Sequence, residues 1–294
     1  MTTVFGVPLA AILGQLMLGL VNGSFYALLS LGLAVIFGLL GVVNFAHGAF
    51  YMLGAFAAYV GLQFLGVNYW WALILAPLAV GILGVIIERL FLRHLYLLDP
   101  LYGLLLTFGI ALIAEGAMRG VFGASGNSYP VPSLLQGGFN LGFMVLPIYR
   151  AWVVLASLAV CAVTWFLIEK TRLGARLRAA TENALLVQAF GINVPLMVMI
   201  TYGAGVALAA FAGVLAAPVV QVSPLMGTSL VIVVFAVVVI GGMGSLVGAI
   251  VSGLVLGLVE GLTKVVYPEA SSIVVFVIMA VVLIWRPTGL FGRD

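Results

Sequence analysis

The sequence contains very little charge. Only 6% of its 294 residues are Asp, Glu, Lys or Arg, whereas 65% are hydrophobic. A soluble domain of this length is about one quarter charged, because its surface must face water. This composition excludes a water-soluble globular protein, and it predicts an outer surface that faces lipid.

Cysteine and histidine are equally scarce. The single cysteine, Cys161, lies in an apolar run, and we interpret it as a small buried hydrophobe. His47 and His94 are the only histidines, and no group of carboxylates accompanies His47. This argues against a metal site. The sequence shows no recognisable nucleophile to go with His47, which argues against an intramembrane protease or acyltransferase, since these need a nucleophile with a base.

Two familiar signals are missing as well. There is no GxxxxGK[ST] motif and no soluble domain, so any ATP-driven process would need another subunit to hydrolyse the nucleotide. We therefore expect a chain that is not an enzyme and binds no cofactor itself. The N-terminal MTTVFGVPLAAILG has no basic n-region, so we expect the first helix to be retained rather than cleaved.

Long apolar runs fill most of the chain. A bilayer core of about 30 Å needs about 20 apolar residues in a helix. Such runs lie at 9–42, 45–65, 71–87, 101–120, 150–168, 195–217, 226–242, 245–264 and 272–286. They predict an all-α, polytopic membrane helix bundle of about eight to ten segments, some broken or re-entrant, in a single transmembrane domain over residues 1–294.

Two of these runs need interpretation. The run at 9–42 is too long for one ordinary span, and it is either one long tilted helix or two shorter pieces. The run at 226–242 is rich in Val and Ile, which suits a buried strand in a soluble protein. A lone strand cannot satisfy its backbone in hydrocarbon, so we predict a helix there.

Basic residues predict the orientation of the chain. Eight of the eleven Lys and Arg residues lie at one set of run ends, namely Arg89, Arg93, Lys170, Arg172, Arg176, Arg178, Arg286 and Arg293. The positive-inside rule places these ends in the cytoplasm, and it also explains the net charge of +3 without nucleic-acid binding. The C-terminus and a polar loop at 169–194 are then cytoplasmic.

The Gly-, Ser- and Pro-rich stretch at 121–149 is an external loop or re-entrant element. Nine spans place the N-terminus outside, and splitting the first run places it inside.

The polar loop has the pattern of a short helix. Ala179–Phe190 reads as a helix with Ala180, Ala184, Leu185, Val187 and Ala189 on its apolar side, Gly191 ends it, and Pro195 opens the next span. Such a helix either contacts a cytoplasmic partner or rests on lipid headgroups, and the pattern allows both.

Four segments together resemble one family. They are LGLAVIFGLLGVVNFAHGAFYMLGAF at 31–56, RAATENALLVQAFGINV at 178–194, IGGMGSLVGAIVSG at 240–253 and RPTGLFG at 286–292. In this order they resemble the permeases of branched-chain amino acid ABC importers, the LivH type, over nearly the whole chain.

The resemblance implies a multi-pass permease in the inner membrane of a prokaryote. It implies a heterodimer with a LivM-type permease, two cytoplasmic ATPase subunits that use ATP and Mg²⁺, and an extracytoplasmic substrate-binding protein. It also implies an ATPase-coupling segment that contains Arg178, Glu182, Asn183 and Gly191. The family usually has an acidic residue where Asn183 stands, so this position departs from its pattern.

Two glycine-rich turns break apolar runs at comparable places. VIFGLLGVVNFAHGAF at 35–50 and VVFAVVVIGGMGSLVGAI at 233–250 each end one run and start another, which is compatible with an internal repeat. Candidate residues for a broken-helix joint or translocation pathway are Asn44, His47, Gly48, Gly241, Gly242 and Gly244. Alternatively, Asn44 caps the next helix and His47 bonds to neighbouring backbone.

Four other charged residues form two pairs. Glu115 with Arg119 and Glu260 with Lys264 are i,i+4 pairs near outer helix ends, either structural or in contact with a binding protein. Urea, short amides and aromatic acids remain alternative solutes. An ion-coupled secondary transporter is the other transport class, but it needs polar clusters near the midplane, and this chain has few.

Overall fold

The computed structural model describes residues 3–4, 7–41, 44–96 and 98–292. Within these ranges the chain is mainly helical. The helices are α1 (Leu9–Leu40), α2 (His47–Leu65), α3 (Tyr69–Leu90), α4 (Pro100–Phe122), α5 (Ile148–Lys170), α6 (Arg172–Glu182), α7 (Ala184–Ala189), α8 (Val194–Ala216), α9 (Met226–Gly241), α10 (Leu246–Val266) and α11 (Val274–Trp285). Two antiparallel strand pairs accompany them, β1 (Thr3–Val4) with β2 (Val7–Pro8) and β3 (Gly138–Asn140) with β4 (Val145–Pro147).

The apolar helices follow the predicted runs. In the described part of the chain, α1, α2, α3, α4, α5, α8 and α10 are the seven helices long and apolar enough to cross a membrane. The apolar helices α9 and α11 are shorter. The predicted all-α, polytopic helix bundle is therefore confirmed, and the Val- and Ile-rich run at 226–242 is helical as expected.

The long first run forms one continuous helix. α1 has 32 residues and passes through Gly23 without a break, so the alternative of two shorter pieces is wrong. The hydroxyl of the neighbouring Ser24 donates a hydrogen bond to the Val21 carbonyl oxygen at 2.7 Å. This bond satisfies the buried hydroxyl without interrupting the helix. At 1.5 Å per residue α1 is about 48 Å long, more than the hydrocarbon core, so it tilts or extends beyond the core. Val42, the last residue of the run, lies outside the described residues.

The predicted external loop at 121–149 is partly ordered. α4 continues to Phe122 and α5 begins at Ile148. Between them lie one 3₁₀ turn at Ser133–Leu135 and the β3–β4 hairpin. Residues 123–147, all of which are described, contain no α-helix, so the segment is a loop with a hairpin and not a re-entrant helix.

The described residues pack as two compact units. The first unit comprises Met1–Ser30, Pro130–Cys161 and Val233–Asp294, as far as these ranges are described. The second unit likewise comprises Leu31–Tyr129 and Ala162–Ile232. The chain passes from one unit to the other four times, within α1, α5 and α9 and in the loop at Tyr129–Pro130.

Glycines bring α1 and α10 together in the first unit. A methyl group built on Gly19 would lie 2.5 Å from the Gly257 carbonyl oxygen, and one on Gly23 would lie 2.9 Å from that of Leu254. A methyl group on Gly253 would lie 2.5 Å from the Ala27 nitrogen. Small residues spaced four apart on both helices allow this backbone contact, as in other membrane helix pairs.

α8 is the central helix of the second unit and packs against α2 and α3. Its Val206, Ala209 and Ala210 are fully buried. A methyl group on Gly54 of α2 would overlap the Ala210 carbonyl oxygen, so these two helices also touch through their backbones. This close packing determines where α8 holds the polar side chains described below.

Candidate functional site

The NFAHG segment forms a turn before α2 in the second unit. Asn44 is buried, and its Oδ1 accepts a hydrogen bond from the Ala46 N–H at 3.1 Å. Its Nδ2 donates to the Tyr202 hydroxyl on α8 at 3.2 Å. The N-cap residue of α2 is Ala46, so the alternative in which Asn44 caps this helix is wrong. Asn44 instead closes the preceding turn and ties it to α8.

His47 and Gly48 begin α2 in a tightly packed environment. His47 is buried, and a methyl group on Gly32 of α1 would lie 3.1 Å from its Cε1 atom. A methyl group on Gly48 would lie 2.5 Å from the carbonyl oxygen of Gly227, in the first turn of α9. Both residues therefore hold helices close together, and Gly48 allows the starts of α2 and α9 to touch.

The turn lies beside the interior of a membrane-length helix. The Phe45 N–H donates to Thr107 Oγ1 at 3.2 Å. Thr107 is seven residues into α4, or about 10 Å from its start at 1.5 Å per residue. α2 thus begins alongside the middle of α4, which is the geometry expected of a broken-helix joint.

A second buried polar contact lies on α3 and was missed in the sequence. The Glu88 carboxylate is buried, and Tyr96 donates to its Oε1 at 2.9 Å. Burial, together with the nearby charge of Glu88, raises the pKa of Tyr96, so its phenol stays a neutral donor. Of this region, only the basic residues Arg89 and Arg93 were interpreted from the sequence, as markers of the cytoplasmic side. The signal that identifies Glu88 is a lone carboxylate at the end of an apolar run.

The second glycine-rich turn lies in the first unit, between α9 and α10. Gly241 is the last residue of α9, and Gly242 and Gly244 adopt positive φ angles of 100° and 85°. Ser245 then caps α10, because its Oγ accepts a hydrogen bond from the Gly248 N–H at 3.1 Å. The predicted break is therefore a tight turn built from two left-handed glycines.

The C-terminal RPTGLFG segment packs onto this turn. The Leu290 N–H donates to the Ile240 carbonyl oxygen at 2.9 Å, and the Phe291 N–H donates to that of Gly241 at 3.1 Å. A methyl group on Gly242 would lie 2.5 Å from the Gly292 nitrogen. Two segments that are far apart in the sequence thus form one structural element within the first unit.

The polar segment at 169–194 forms two helices rather than the one predicted over Ala179–Phe190. α6 ends at Glu182, and Asn183 has extended backbone angles, φ −150° and ψ 91°. Its Oδ1 accepts from the Leu186 N–H at 2.9 Å and so caps α7. Asparagine is one of the favoured N-cap residues, so Asn183 suits this position between the two helices.

The inner faces of α6 and α7 are attached to the start of α8. Ala180, Val187 and Val194 form one buried cluster, and Met197 packs against it. Gly191 has a φ of 80° and directly follows Phe190, the C-cap residue of α7. Its predicted position after the helix end is therefore confirmed, and so is the placement of Pro195 in the first turn of α8.

The outer face of this segment is partly apolar. Leu185 is 80% exposed, Leu186 56% and Phe190 77%. The expectation that Leu185 lies on the same side as Val187 is wrong, because residues two apart on a helix point in nearly opposite directions; Val187 faces the buried cluster and Leu185 faces outward. A groove lies beside Leu186 and Phe190, with Glu182 among its lining residues. Exposed apolar side chains beside charged ones are typical of a protein contact surface.

Arg178 faces the preceding helix. Its Nη1 donates to the Ile168 carbonyl oxygen at 3.0 Å and lies 3.4 Å from the Glu169 carboxylate. The Thr171 hydroxyl also bonds to the Leu167 carbonyl oxygen. These contacts join α6 to the end of α5, so Arg178 holds the polar segment to the preceding helix. Glu182, at the end of α6, is exposed.

Both predicted i,i+4 ion pairs form. Glu115 and Arg119 are 3.5 Å apart, and Glu260 and Lys264 are 2.5 Å apart. Each carboxylate also accepts a hydroxyl, Glu115 from Thr228 at 2.9 Å and Glu260 from Tyr26 at 2.7 Å. Over the described ranges, no three His, Cys, Asp or Glu side chains converge as metal ligands would.

Known proteins similar to the chain share one transport role. A profile of the family described as "Branched-chain amino acid transport system / permease component" matches residues 15–283. The high-affinity branched-chain amino acid permease protein BraD of Pseudomonas aeruginosa is 31% identical over 96% of both chains. LivH of Escherichia coli K12 is 30% identical, again over 96% of both. LivM of the same organism is 28% identical over 90% of this chain and 67% of its own length. No solved structure matches the chain.

Proposed function

The chain belongs to the family of permease components of branched-chain amino acid transport systems, and from this membership we propose that it forms one half of the membrane pathway of an ATP-driven importer. It is a multi-pass protein of the inner membrane. The solute we propose is a branched-chain amino acid delivered by a separate binding protein. The names of the relatives support this solute class.

The second half of the pathway is a related permease of the LivM type. The chain is similar to both LivH and LivM, which supports a pair built from two homologous permeases. ATP and Mg²⁺ are bound by two separate ATPase subunits, since this sequence has no phosphate-binding loop. The chain itself is a transport subunit and not an enzyme.

The helices α6 and α7 form the surface that contacts the ATPase. This part of the proposal rests on one observation. The segment formed by α6 and α7 has an exposed apolar face, while its opposite face packs against the start of α8. Leu185, Leu186 and Phe190 point outward, while Ala180 and Val187 are buried against the start of α8. A cytoplasmic partner that covers this face would bury apolar area and move α8 with it.

α8 connects the contact surface to the joint in the NFAHG segment. Tyr202 lies eight residues after Val194, about 12 Å along the helix, and its hydroxyl accepts the hydrogen bond from Asn44. A displacement of α6 and α7 would therefore reach the start of α2 through one rigid helix. Asn44, His47 and Gly48 are on this proposed pathway, and Gly241, Gly242 and Gly244 form the corresponding turn of the first unit.

Reconstitution into liposomes tests the proposed function. The chain should be purified with the homologous permease, with and without the ATPase subunits encoded beside it, and uptake of radiolabelled leucine measured with the loaded binding protein. We expect uptake only with both ATPases and ATP. Uptake driven by an ion gradient without the ATPases would identify a secondary transporter and overturn the proposal. A complex that transports urea or aromatic acids but not leucine would contradict the proposed solute.

A further inference from the structure

The start of α6 is packed against the last turn of α5, a membrane-length helix. A methyl group on Gly174 of α6 would overlap the Ile168 carbonyl oxygen, and Arg178 Nη1 donates to the same oxygen at 3.0 Å. Ile168 is two residues before the end of α5, whose 23 residues span about 35 Å, slightly more than the roughly 30 Å hydrocarbon core. This corner between α5 and α6 therefore lies at the level of the lipid headgroups.

The corner carries two cations that have no carboxylate partner. Lys170 and Arg172 are exposed, and neither forms an ion pair among the residues that the structure describes. Glu169, the only acidic residue between positions 168 and 178, is paired with Arg178. Arg172 is the first residue of α6, where the helix dipole disfavours a cation, so the stability of α6 does not explain its placement. The corner thus presents positive charge to an anion from outside the chain.

Apolar and aromatic side chains flank these cations. Phe166 is 56% exposed and Leu173 51% exposed. Phe166 is four residues before Lys170, so the two side chains lie on the same face of α5. The Lys170 Nζ lies 5.6 Å from the centroid of the Trp165 ring. An aromatic ring beside a lysine that extends from an apolar surface is typical of the boundary between membrane and water.

We propose that Lys170 and Arg172 bind the phosphate of an anionic phospholipid headgroup in the cytoplasmic leaflet. Charge complementarity favours an anionic lipid over a zwitterionic one, as for other basic residues next to a membrane span. Phe166 and Leu173 contact the acyl chains of the same lipid. The inference goes beyond the proposed function, since it depends on the position of the corner in the membrane and not on the solute or on the ATPase.

A neighbouring arginine belongs to a different surface. Arg176 is one turn further along α6 and lines the groove beside Leu186 and Phe190, which faces the proposed ATPase. Lys170 and Arg172 do not line that groove. Their position at the end of a membrane helix therefore favours a lipid over an acidic surface of the ATPase, and the test below distinguishes the two.

The test measures which lipids surround the corner in nanodiscs. Leu167→Cys in the full chain is labelled with the fluorophore NBD, while Cys161 is buried and stays unlabelled. The nanodiscs contain equal parts of phosphatidylglycerol and phosphatidylcholine, and a doxyl quencher is carried on one lipid or on the other. We expect the quenching to show phosphatidylglycerol enriched over phosphatidylcholine by about fivefold for each cation.

Variants of the two cations are made in the same labelled chain. Lys170→Gln combined with Arg172→Gln should make the quenching by the two lipids equal, because no cation remains to favour an anionic headgroup. Lys170→Arg combined with Arg172→Lys keeps both charges and should keep the enrichment. A second measurement needs no variant of these cations. Raising the ionic strength from about 0.1 M to 1 M shortens the Debye length from about 10 Å to 3 Å and should lower the enrichment.

Arg286→Gln is the matched control. Arg286 is also an exposed cation beside a tryptophan at a helix end predicted to be cytoplasmic, with its guanidinium 5.7 Å from the centroid of the Trp285 ring. However, its Nη1 donates to the Leu290 carbonyl oxygen at 3.3 Å. This variant removes the same charge from the same side of the membrane, and it should leave the enrichment at Leu167→Cys unchanged.

Three results would overturn the inference. The first is equal quenching by the two lipids when both cations are present. The second is an unchanged enrichment after Lys170→Gln with Arg172→Gln, and if recovery of the ATPase in pull-downs falls in that variant, the two cations contact the ATPase instead. The third is an equal loss of enrichment in Arg286→Gln, which would show a general attraction of anionic lipids to the cytoplasmic side and no site at this corner.

Discussion

The backbone N–H of Phe291 donates a hydrogen bond to the carbonyl oxygen of Gly241 at 3.1 Å. A helix leaves its last carbonyl groups without partners inside the helix. In α9 two of these acceptors, the carbonyl oxygens of Ile240 and Gly241, are satisfied by Leu290 and Phe291, each 50 residues later in the sequence. The C-terminal RPTGLFG segment is therefore part of the turn between α9 and α10 and not a separate tail.

This packing predicts that Gly242→Ala destabilises the protein more than Gly66→Ala. Both glycines have positive φ angles, 100° and 65°, so both substitutions carry a backbone cost of about 1 kcal/mol. A methyl group on Gly242 also meets Gly292, whereas nothing lies within 4 Å of one on Gly66. Thermal melting in detergent, followed by size-exclusion chromatography, measures the difference. Equal melting temperatures for the two variants would contradict this packing.

The glycine contact between α1 and α10 makes a second prediction. Gly257→Ile should strongly reduce the amount of folded protein, because the side chain would meet the backbone of Gly23 and lie against the Gly19 carbonyl oxygen. Overpacking of this kind costs about 1–3 kcal/mol or more. Gly120→Ile on α4 is the control, since the space around Gly120 is open. The yield of monodisperse protein after purification gives the readout, and comparable yields would rule out the close contact.

The hydrogen bond between Asn44 and Tyr202 makes a third prediction. Tyr202→Phe leaves Asn44 Nδ2 buried without this acceptor, which costs about 1–3 kcal/mol. We expect a lower melting temperature and weaker uptake in the reconstituted complex. Thr201→Val on the preceding residue is the control, because the Thr201 hydroxyl bonds within α8, to the Met197 carbonyl oxygen at 2.8 Å. A Tyr202→Phe variant as stable and active as Thr201→Val would show that the bond contributes nothing.

The proposed contact between the ATPase and helices α6 and α7 makes a fourth prediction. Phe190→Glu and Glu182→Lys change exposed side chains outside the membrane helices, so both variants should still insert. If the loss of the contact costs one or two kcal/mol, ATPase recovery in pull-downs falls about 5- to 30-fold, and uptake falls with it. Gly191→Val should act in the same way by straining the left-handed turn, where φ is 80°.

The control for this contact is Gly66→Val, which strains a left-handed turn of similar φ at the end of α2. It should leave ATPase recovery unchanged. Normal uptake and normal recovery in all three variants would mean that α6 and α7 only rest on lipid headgroups.

The orientation of the chain is the fifth prediction. Phe291→Cys should react only with a membrane-permeant maleimide, whereas Leu134→Cys should react from outside intact cells. Both positions are exposed, at 44% and 76%, and Cys161 is buried, so the background is low. Phe291 is preferable to Gly292, where a methyl group would overlap the Thr288 carbonyl oxygen. Labelling of Phe291→Cys by an impermeant reagent would reverse the topology. Arg293, also predicted to be inside, lies outside the described residues.

Much of the architecture could be predicted from the sequence because hydrophobicity and helix length act locally. About 20 apolar residues must be helical in a bilayer wherever they occur, so the nine runs, the helical state of 226–242 and the roles of Gly191 and Pro195 followed from composition and spacing. The two ion pairs followed for the same reason, since residues four apart on a helix are neighbours.

Tertiary structure decided what depends on contacts between distant residues. Nothing in NFAHG indicates that Asn44 bonds to Tyr202, and nothing in the local pattern joins Glu115 to Thr228. The break at Asn183, which divides the polar segment into α6 and α7, was likewise not apparent in the local pattern. Sequence alone therefore determined that this chain is a membrane protein made of helices, because burial of apolar residues in lipid is a local property. The polar contacts between its helices were decided only by folding, because a buried donor must find its acceptor wherever the packed chain brings one.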